Sequence, residues 1–460
     1  MSIPTRTEQS MATSNPSAVT SRVTRRSFLR GGVALGVVAG LGGSGLLTGC
    51  GSGDDGGGDP NDLQMHHDAA VGPLFKPYVD HFNRSYAPLK LGTSYVAQDY
   101  LTVTNQQLAG GNASYDVLFA DEGYLESWSK NQWVRSLKDL PGLDKLVANM
   151  NPGVAEALKG PDGDIYALPY FQGAELFVVN TDHLKKIDAS PPATWEEFLE
   201  QARELKSKGI SQTPYSPYWI KYAFLMWHQF AAEVASEGGG SLFDPSGKPV
   251  LVGNAAARAT LERWRTLYSE GLVPKDLFTT DYGGVTNIFG GGKSSFSMRY
   301  QAQVVGWKDP KQSSAAKAVK NIAMPGKTHQ THSFGAYWML SYETEGDKNA
   351  GTLIDYLGGA GKDGSYHVPK NLVATELGLS SGYKSVDSDP AVLKSWAKWA
   401  DVDALTAQLA KTVALGPVTT RTWYPKFADK ACAVLQEVVL GKKSSDEGLK
   451  ELSDFAGAQK

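Results

Sequence analysis

Four stretches of this 460-residue chain carry residue types that do chemistry. Gly378-Leu379-Ser380-Ser381-Gly382 fits the Gly-x-Ser-x-Gly pattern, in which a sharp strand-to-helix turn presents a serine nucleophile. Here a helix-like stretch over 371–377 comes first and loop sequence over 383–390 follows, so a plain turn is expected. Gly291-Gly292-Lys293-Ser294 has the end of a phosphate loop, but Asn287 stands where its first glycine is required. His66-His67-Asp68 and His329-Gln330-Thr331-His332 offer metal-ligating nitrogens, yet neither has a Cys or His-rich partner at zinc-site spacing. The paired carboxylates of a glycosidase leave no spacing signature, so that alternative stays open. The expectation is a protein with no catalytic residue, no metal and no cofactor.

The N-terminus carries chemistry of a different kind. Thr24-Arg25-Arg26-Ser27-Phe28-Leu29-Arg30 precedes an uncharged run over 31–49 that ends Leu47-Thr48-Gly49-Cys50. A basic segment, an apolar segment and small residues at a cut form the layout of a signal peptide. The arginine pair resembles a twin-arginine export signal, and the last four residues resemble a lipobox whose Cys50 is acylated. Gly51-Ser52-Gly53-Asp54-Asp55-Gly56-Gly57-Gly58-Asp59-Pro60 then reads as a flexible tether. The chain is therefore expected on the extracytoplasmic face of the cell membrane, held through an N-terminal lipid. After residue 49 the charges are 40 Lys+Arg against 47 Asp+Glu, a formal −7, which argues against a nucleic-acid partner. Of two cysteines, only Cys432 remains beside Cys50, and its apolar surroundings predict a buried thiol.

The elements that would position any site alternate in type. Strand patterns at 63–66, 90–96 and 116–120 are interleaved with helix patterns at 74–86, 100–108 and 124–132, the mark of βαβ units and an α/β fold. Thr194 followed by Glu197 predicts a capping box for a helix that ends at Gly209. Further helices are expected over 255–270, 348–357, 391–415 and 424–440.

Several segments align, in order, with one family. Tyr115-Asp116-Val117-Leu118-Phe119-Ala120-Asp121, Gly163-Asp164-Ile165-Tyr166-Ala167-Leu168-Pro169, Val179-Asn180-Thr181-Asp182, Pro192-Ala193-Thr194-Trp195-Glu196-Glu197 and the run Phe289-Gly290-Gly291-Gly292-Lys293-Ser294-Ser295-Phe296-Ser297-Met298 resemble motifs of the extracellular solute-binding proteins of ABC importers. The likeness is to the sugar-binding branch that includes maltose-binding protein. It implies two α/β lobes joined by a hinge of crossing strands, with a ligand cleft between them. The division it suggests is 1–49 signal peptide, 50–62 tether, 63–178 with 329–365 as lobe 1, and 179–328 with 366–460 as lobe 2. Crossings are expected near 177–179, 328–334 and 364–368. A monomer that delivers a carbohydrate to importer permease subunits is implied, with a surface-anchored hydrolase or a binder of a non-sugar ligand as alternatives.

The resemblance also nominates a site. Aromatic rings cover sugar faces, while carboxylates and Arg forks hold hydroxyls. Trp423 and Tyr424, with Arg421 two residues before Trp423, match a spacing in the maltose-binding branch where Trp stacks on sugar. Asp121, Glu122, His67, Asp68, Tyr218, Trp219, Arg299 and Tyr300 are the further candidates. Trp219 reads equally as the start of a core helix over 219–234, Asp121 as a helix cap, and His67 with Asp68 as strand-end polar residues. Export gives the first prediction: Arg25→Lys with Arg26→Lys leaves the protein in the cytoplasm, because the guanidinium pair and not charge alone is read. Fractionation of cells showing normal surface levels of that variant would refute the assignment.

Overall fold

In the computed structural model the described residues run from Asp59 to Gln459, apart from 70–71, 97–99, 112, 161, 221–224, 245, 343, 345–346, 414 and 416. The expected export residues Arg25 and Arg26 and the expected lipidation residue Cys50 lie outside them.

Nine strands form the scaffold. β1 (Asp62–Asp68) pairs in parallel with β2 (Lys90–Val96) and β3 (Val117–Asp121), with helices Lys76–Ser85 and Tyr100–Ala109 between them. These are the βαβ units expected from the alternation. β4 (Ala167–Asn180), β5 (Tyr215–Ser216), β6 (Phe296–Tyr300), β7 (Val319–Ile322), β8 (Thr331–Leu340) and β9 (Thr412–Val413) complete the set. The order is β2-β1-β3-β8-β4-β6-β5, with β7 also beside β4 and β9 beside β8.

The architecture is two-lobed, because the apolar residues condense around two centres. The first core holds Met65, Phe82, Val117, Trp128 and Trp338; the second holds Phe177, Phe198, Trp227, Trp264 and Cys432. β4 joins them. Its 14 residues span about 46 Å at the usual rise of a strand, enough to cross both lobes. Ala167 to Ala174 pair with β8, and Glu175 to Asn180 pair with β6 and β7. β8 is the second crossing, since Thr331 and His332 pair with β9 while its later residues pair with β3 and β4.

Val368, Leu372, Tyr383, Trp396 and Leu405 pack in the first core, together with Phe289, Val304, Trp307 and Val319, and from Leu415 onward the chain packs in the second. Residues 401–408 also reach the β7 segment, where Asp401 N donates to Asn321 Oδ1 and Gln408 Oε1 accepts from Met324 N. The helix expected over 391–415 is in fact two, Pro390–Trp396 and Val402–Leu409; Asp401 caps the latter by accepting from Ala404 N. The capping box of helix Trp195–Ser207 forms as expected: Thr194 accepts from Glu197 N, and Glu197 accepts from Thr194 N.

One glycine sets the spacing between the crossing strands. A Cβ on Gly173 would lie 2.2 Å from Phe334 Cε1 and Cζ, so the Phe334 ring occupies that space. Gly173→Ala should push the ring aside and destabilise the protein by about 1–3 kcal/mol, the range for overpacking. Denaturant unfolding checks this, and an unchanged midpoint would show that Phe334 moves freely.

Candidate ligand-binding cleft

In β4 and β8 nearly every residue is buried. In each strand a single residue is only partly so, and both are aromatic: Phe171 and Phe334. Directly opposed residues on neighbouring strands share a face of the sheet. Asp121 opposes Ala336, Ala336 opposes Phe171, Phe334 opposes Gly173, and Glu175 opposes Tyr300. Thus Asp121, Phe171, Phe334 and Tyr300 stand on one face, with small Ala336 and Gly173 leaving a trough between them. A register irregularity between Pro169 and Phe171 sends Tyr170 into the first core, so a bulge re-aims the strand beside the site. Tyr300 packs on Phe334 with ring centroids 3.9 Å apart, and Phe171 meets Phe334 edge-on at 5.8 Å.

Asp121 ends β3 at the trough's edge. Its Oδ1 accepts from Gly123 N at 3.2 Å. The side chain is open to water by area, yet desolvation lifts its carboxyl to about 6 against one backbone hydrogen bond. Trp423, just before helix Tyr424–Val439, is half-buried. It leans on Phe243 and Phe427 of the second core and keeps part of its surface accessible. The turn Pro417–Thr420 before it meets lobe 1, where a Cβ on Gly123 would lie 3.5 Å from the Thr419 carbonyl oxygen. Arg421 Nη1 donates to Glu126 Oε1 of lobe 1 at 3.2 Å.

Beside the trough lies a pair of histidines, His332 buried and His228 half-buried. His228, on helix Leu225–Ser236, shares a 3.0 Å hydrogen bond with the Tyr300 hydroxyl, and its ring is 4.8 Å from that of His332 on β8. Burial pushes His228 down to about 4 and His332 well below its usual range. Burial, reinforced by the Glu233 charge, holds the Glu175 carboxyl well above the usual carboxylate range. Burial thus shifts all three groups toward their neutral forms.

Several expected site residues lie elsewhere. His67 is buried in the first core, stacked on Phe119 at 4.2 Å and pushed down to about 3 by burial. Strand β1 is an inner strand and continues through Asp68, so both its faces are covered. Tyr218 and Trp219 are fully buried, the latter against Trp264 at 4.8 Å. Arg299 lies over the Tyr218 ring and donates to the carbonyls of Ser216, Met298 and Val285. Tyr424 is in the second core, where its hydroxyl accepts from Trp227 Nε1. Asp68 is partly exposed at the end of β1, and the Glu122 side chain lies outside the described residues. Phe171, Phe334 and His228 were not foreseen; the only sequence signal was an aromatic within each of two apolar runs.

The catalytic and metal motifs resolve into structure. Ser380 and Ser381 are buried, and both hydroxyls donate to Asp387, whose carboxyl burial pushes up to about 6. His66 is held between the hydroxyls of Ser94 and Thr104, and His329 Nδ1 donates to Met324 O. Among the described residues no three His, Cys, Asp or Glu side chains gather in a way that could hold a metal ion.

A cleft between two lobes that share crossing strands defines a class, the hinged ligand-binding proteins. Residues 69–363 match the family of bacterial extracellular solute-binding proteins, and the chain belongs to that family. It is 25% identical over 308 residues to a probable ABC transporter-binding protein of Deinococcus radiodurans, covering 63% of this chain and 68% of that one. A shorter match, 30% identical over 84 residues, is to the sn-glycerol-3-phosphate-binding protein UgpB of Brucella abortus, 18% of this chain and 19% of that protein. Among solved structures, maltose-bound MalE3 of T. maritima superposes with a TM-score of 0.71 at 17% identity, over 86% of this chain and 99% of that one.

The raised carboxyl of Asp121 makes a stability prediction. A carboxyl raised in the folded state binds its proton more tightly there than in the unfolded chain, so its ionisation lowers stability as pH rises from about 4 to about 6. Asp121→Asn should therefore raise the ligand-free melting temperature at pH 7 and leave it nearly unchanged at pH 4. Melting curves at both values check this, and a lower melting temperature at pH 7 would contradict it.

Proposed function

We propose that this solute-binding protein captures an uncharged carbohydrate, mono- or oligosaccharide, by closure of its two lobes and delivers it to the permease subunits of an ABC importer. The observation that carries the reading is the shared face of Asp121, Phe171, Phe334 and Tyr300, and we place the half-buried Trp423 of the other lobe opposite it. Aromatic planes suit the C–H faces of a sugar ring, and a carboxylate accepts from its hydroxyls. The solved relative bound to maltose supports this chemistry. A phosphate ester, as the name of the Brucella relative suggests, is disfavoured by charge. Arg299 is buried on backbone carbonyls and Arg421 faces Glu126, while Asp121 and Asp68 are acidic. In this reading the protein is no enzyme, works as a monomer, and is held at the extracytoplasmic membrane face by a lipid on Cys50.

A thermal-shift screen against neutral sugars, polyols and glycerol 3-phosphate tests the ligand class. A ligand at a hundredfold excess over Kd adds about 2.7 kcal/mol of stability. Stabilisation is expected from a neutral sugar and not from the phosphate ester; the reverse would refute the reading. With that sugar, Trp423→Ala should lose about 2–4 kcal/mol of binding, roughly thirtyfold to a thousandfold in Kd, and Trp423→Phe much less. Calorimetry showing full affinity in Trp423→Ala would remove Trp423 from the site.

A further inference from the structure

The contact between Arg421 and Glu126 joins residues that are 295 apart in sequence and belong to different lobes. Glu126 lies on helix Leu125–Lys130, whose Leu125 and Trp128 are in the first core. Arg421 follows the turn Pro417–Thr420, whose Val418 is in the second core, as is Tyr424 beyond it. The Glu126 side chain is only 3% exposed, while that of Arg421 is 43% exposed. Glu126 Oε1 accepts from both Arg421 and Lys130, and its Oε2 is buried without a hydrogen-bond partner.

We propose that Arg421 and Glu126 form an interlobe latch, and that Arg421 is a positioning residue for Trp423 and not a ligand contact. This rests on the reading that the lobes close over a ligand. The geometry makes the pair conditional on closure. Lys130 is four residues from Glu126 on the same helix, so that bond survives any movement of the lobes. The Arg421 bond does not, because its two ends are fixed in different cores. On opening, Arg421 returns to water at little cost, since it is already nearly half exposed. Glu126 keeps Lys130 as counter-ion, so the open state holds no uncompensated buried charge. The latch therefore biases closure modestly without locking it, which a protein that must release its cargo requires.

The position of the latch gives it a second effect. Arg421 is two residues before Trp423, and Glu126 is five residues after Asp121. Tying Arg421 to lobe 1 brings the Pro417–Thr420 turn against Gly123 and sets where the Trp423 ring stands relative to Asp121. A partly exposed pair of this kind shifts an equilibrium by roughly 1.5- to fivefold and is weakened by salt.

The test needs no ligand. Gly123→Cys and Thr419→Cys are introduced into the full chain with Cys50→Ser, and the rate of disulfide formation under a fixed oxidant reports how often the lobes meet. Arg421→Gln and Glu126→Gln should each slow it roughly 1.5- to fivefold. The two together should slow it no more than either alone, and Arg421→Lys should recover part of the rate. Raising salt from about 0.05 to about 0.5 M should slow the parent and leave the Gln variants nearly unchanged. Equal rates in parent and single variants, or additive effects of the two substitutions, would overturn the latch. Melting curves identify any variant that fails to fold; Arg421→Gln, at an accessible side chain, then decides alone. Addition of the sugar panel separates the underlying reading: a latch effect with no sugar-dependent acceleration would leave the latch standing and refute closure on a sugar.

Discussion

The structure depends on the antiparallel pairing of β4 with β8. Both strands run from one hydrophobic core into the other, so a single backbone ladder is the common property of two lobes. A ladder of that kind is stiff along its strands and yields by twisting, which confines relative motion of the lobes to rotation about it. It also fixes the floor of the cleft. Side chains on one face alternate between Phe171, Gly173 and Glu175 on β4 and between His332, Phe334 and Ala336 on β8. The small members of that series make the trough and the aromatic members line it.

Electrostatics divides the site into a neutral floor and an acidic edge. Glu175, His228 and His332 would each be charged in water under some common condition, yet burial pushes all three toward the neutral form. A charged floor would have to be desolvated anew in every closure, at a cost of several kcal/mol per ion. Asp121 is different, because it sits at the edge where the ligand itself replaces the water that closure expels. Its ionisation is mildly unfavourable until something donates hydrogen bonds to it, and a ring of hydroxyls is such a partner.

Much of this was legible in the sequence where the signal is local. The strands β1 to β3 with their helices, the Thr194 cap and the membership of the family all follow from short-range patterns. The division of 390–409 into two helices was not legible, because 391–415 reads as one apolar helix. Its break at Trp399 to Asp401 and the two-residue strand β9 have no periodicity to detect. Candidate site residues fared according to how their side chains divide between apolar body and polar tip. Trp219, Tyr218 and Tyr424 are aromatic residues whose sequence context suits cleft or core equally, and all three went to the core. His67 and Asp68 continued a strand two residues longer than its pattern implied. Glu126 and Arg421 are ordinary charged residues in sequence, and only the fold brings them together.

The central claim is that ligand binding and rotation of the lobes about β4 and β8 are one event. Spin labels at Asp139→Cys in lobe 1 and Glu200→Cys in lobe 2, both exposed positions, would report the interlobe distance by pulsed electron resonance in a Cys50→Ser background, with Cys432 buried and unreactive. The stabilising sugar is added at saturation. The account predicts a broad distribution without ligand that narrows and shifts by several ångströms on binding. A bound protein whose distance distribution is the same as that of the ligand-free protein would contradict it.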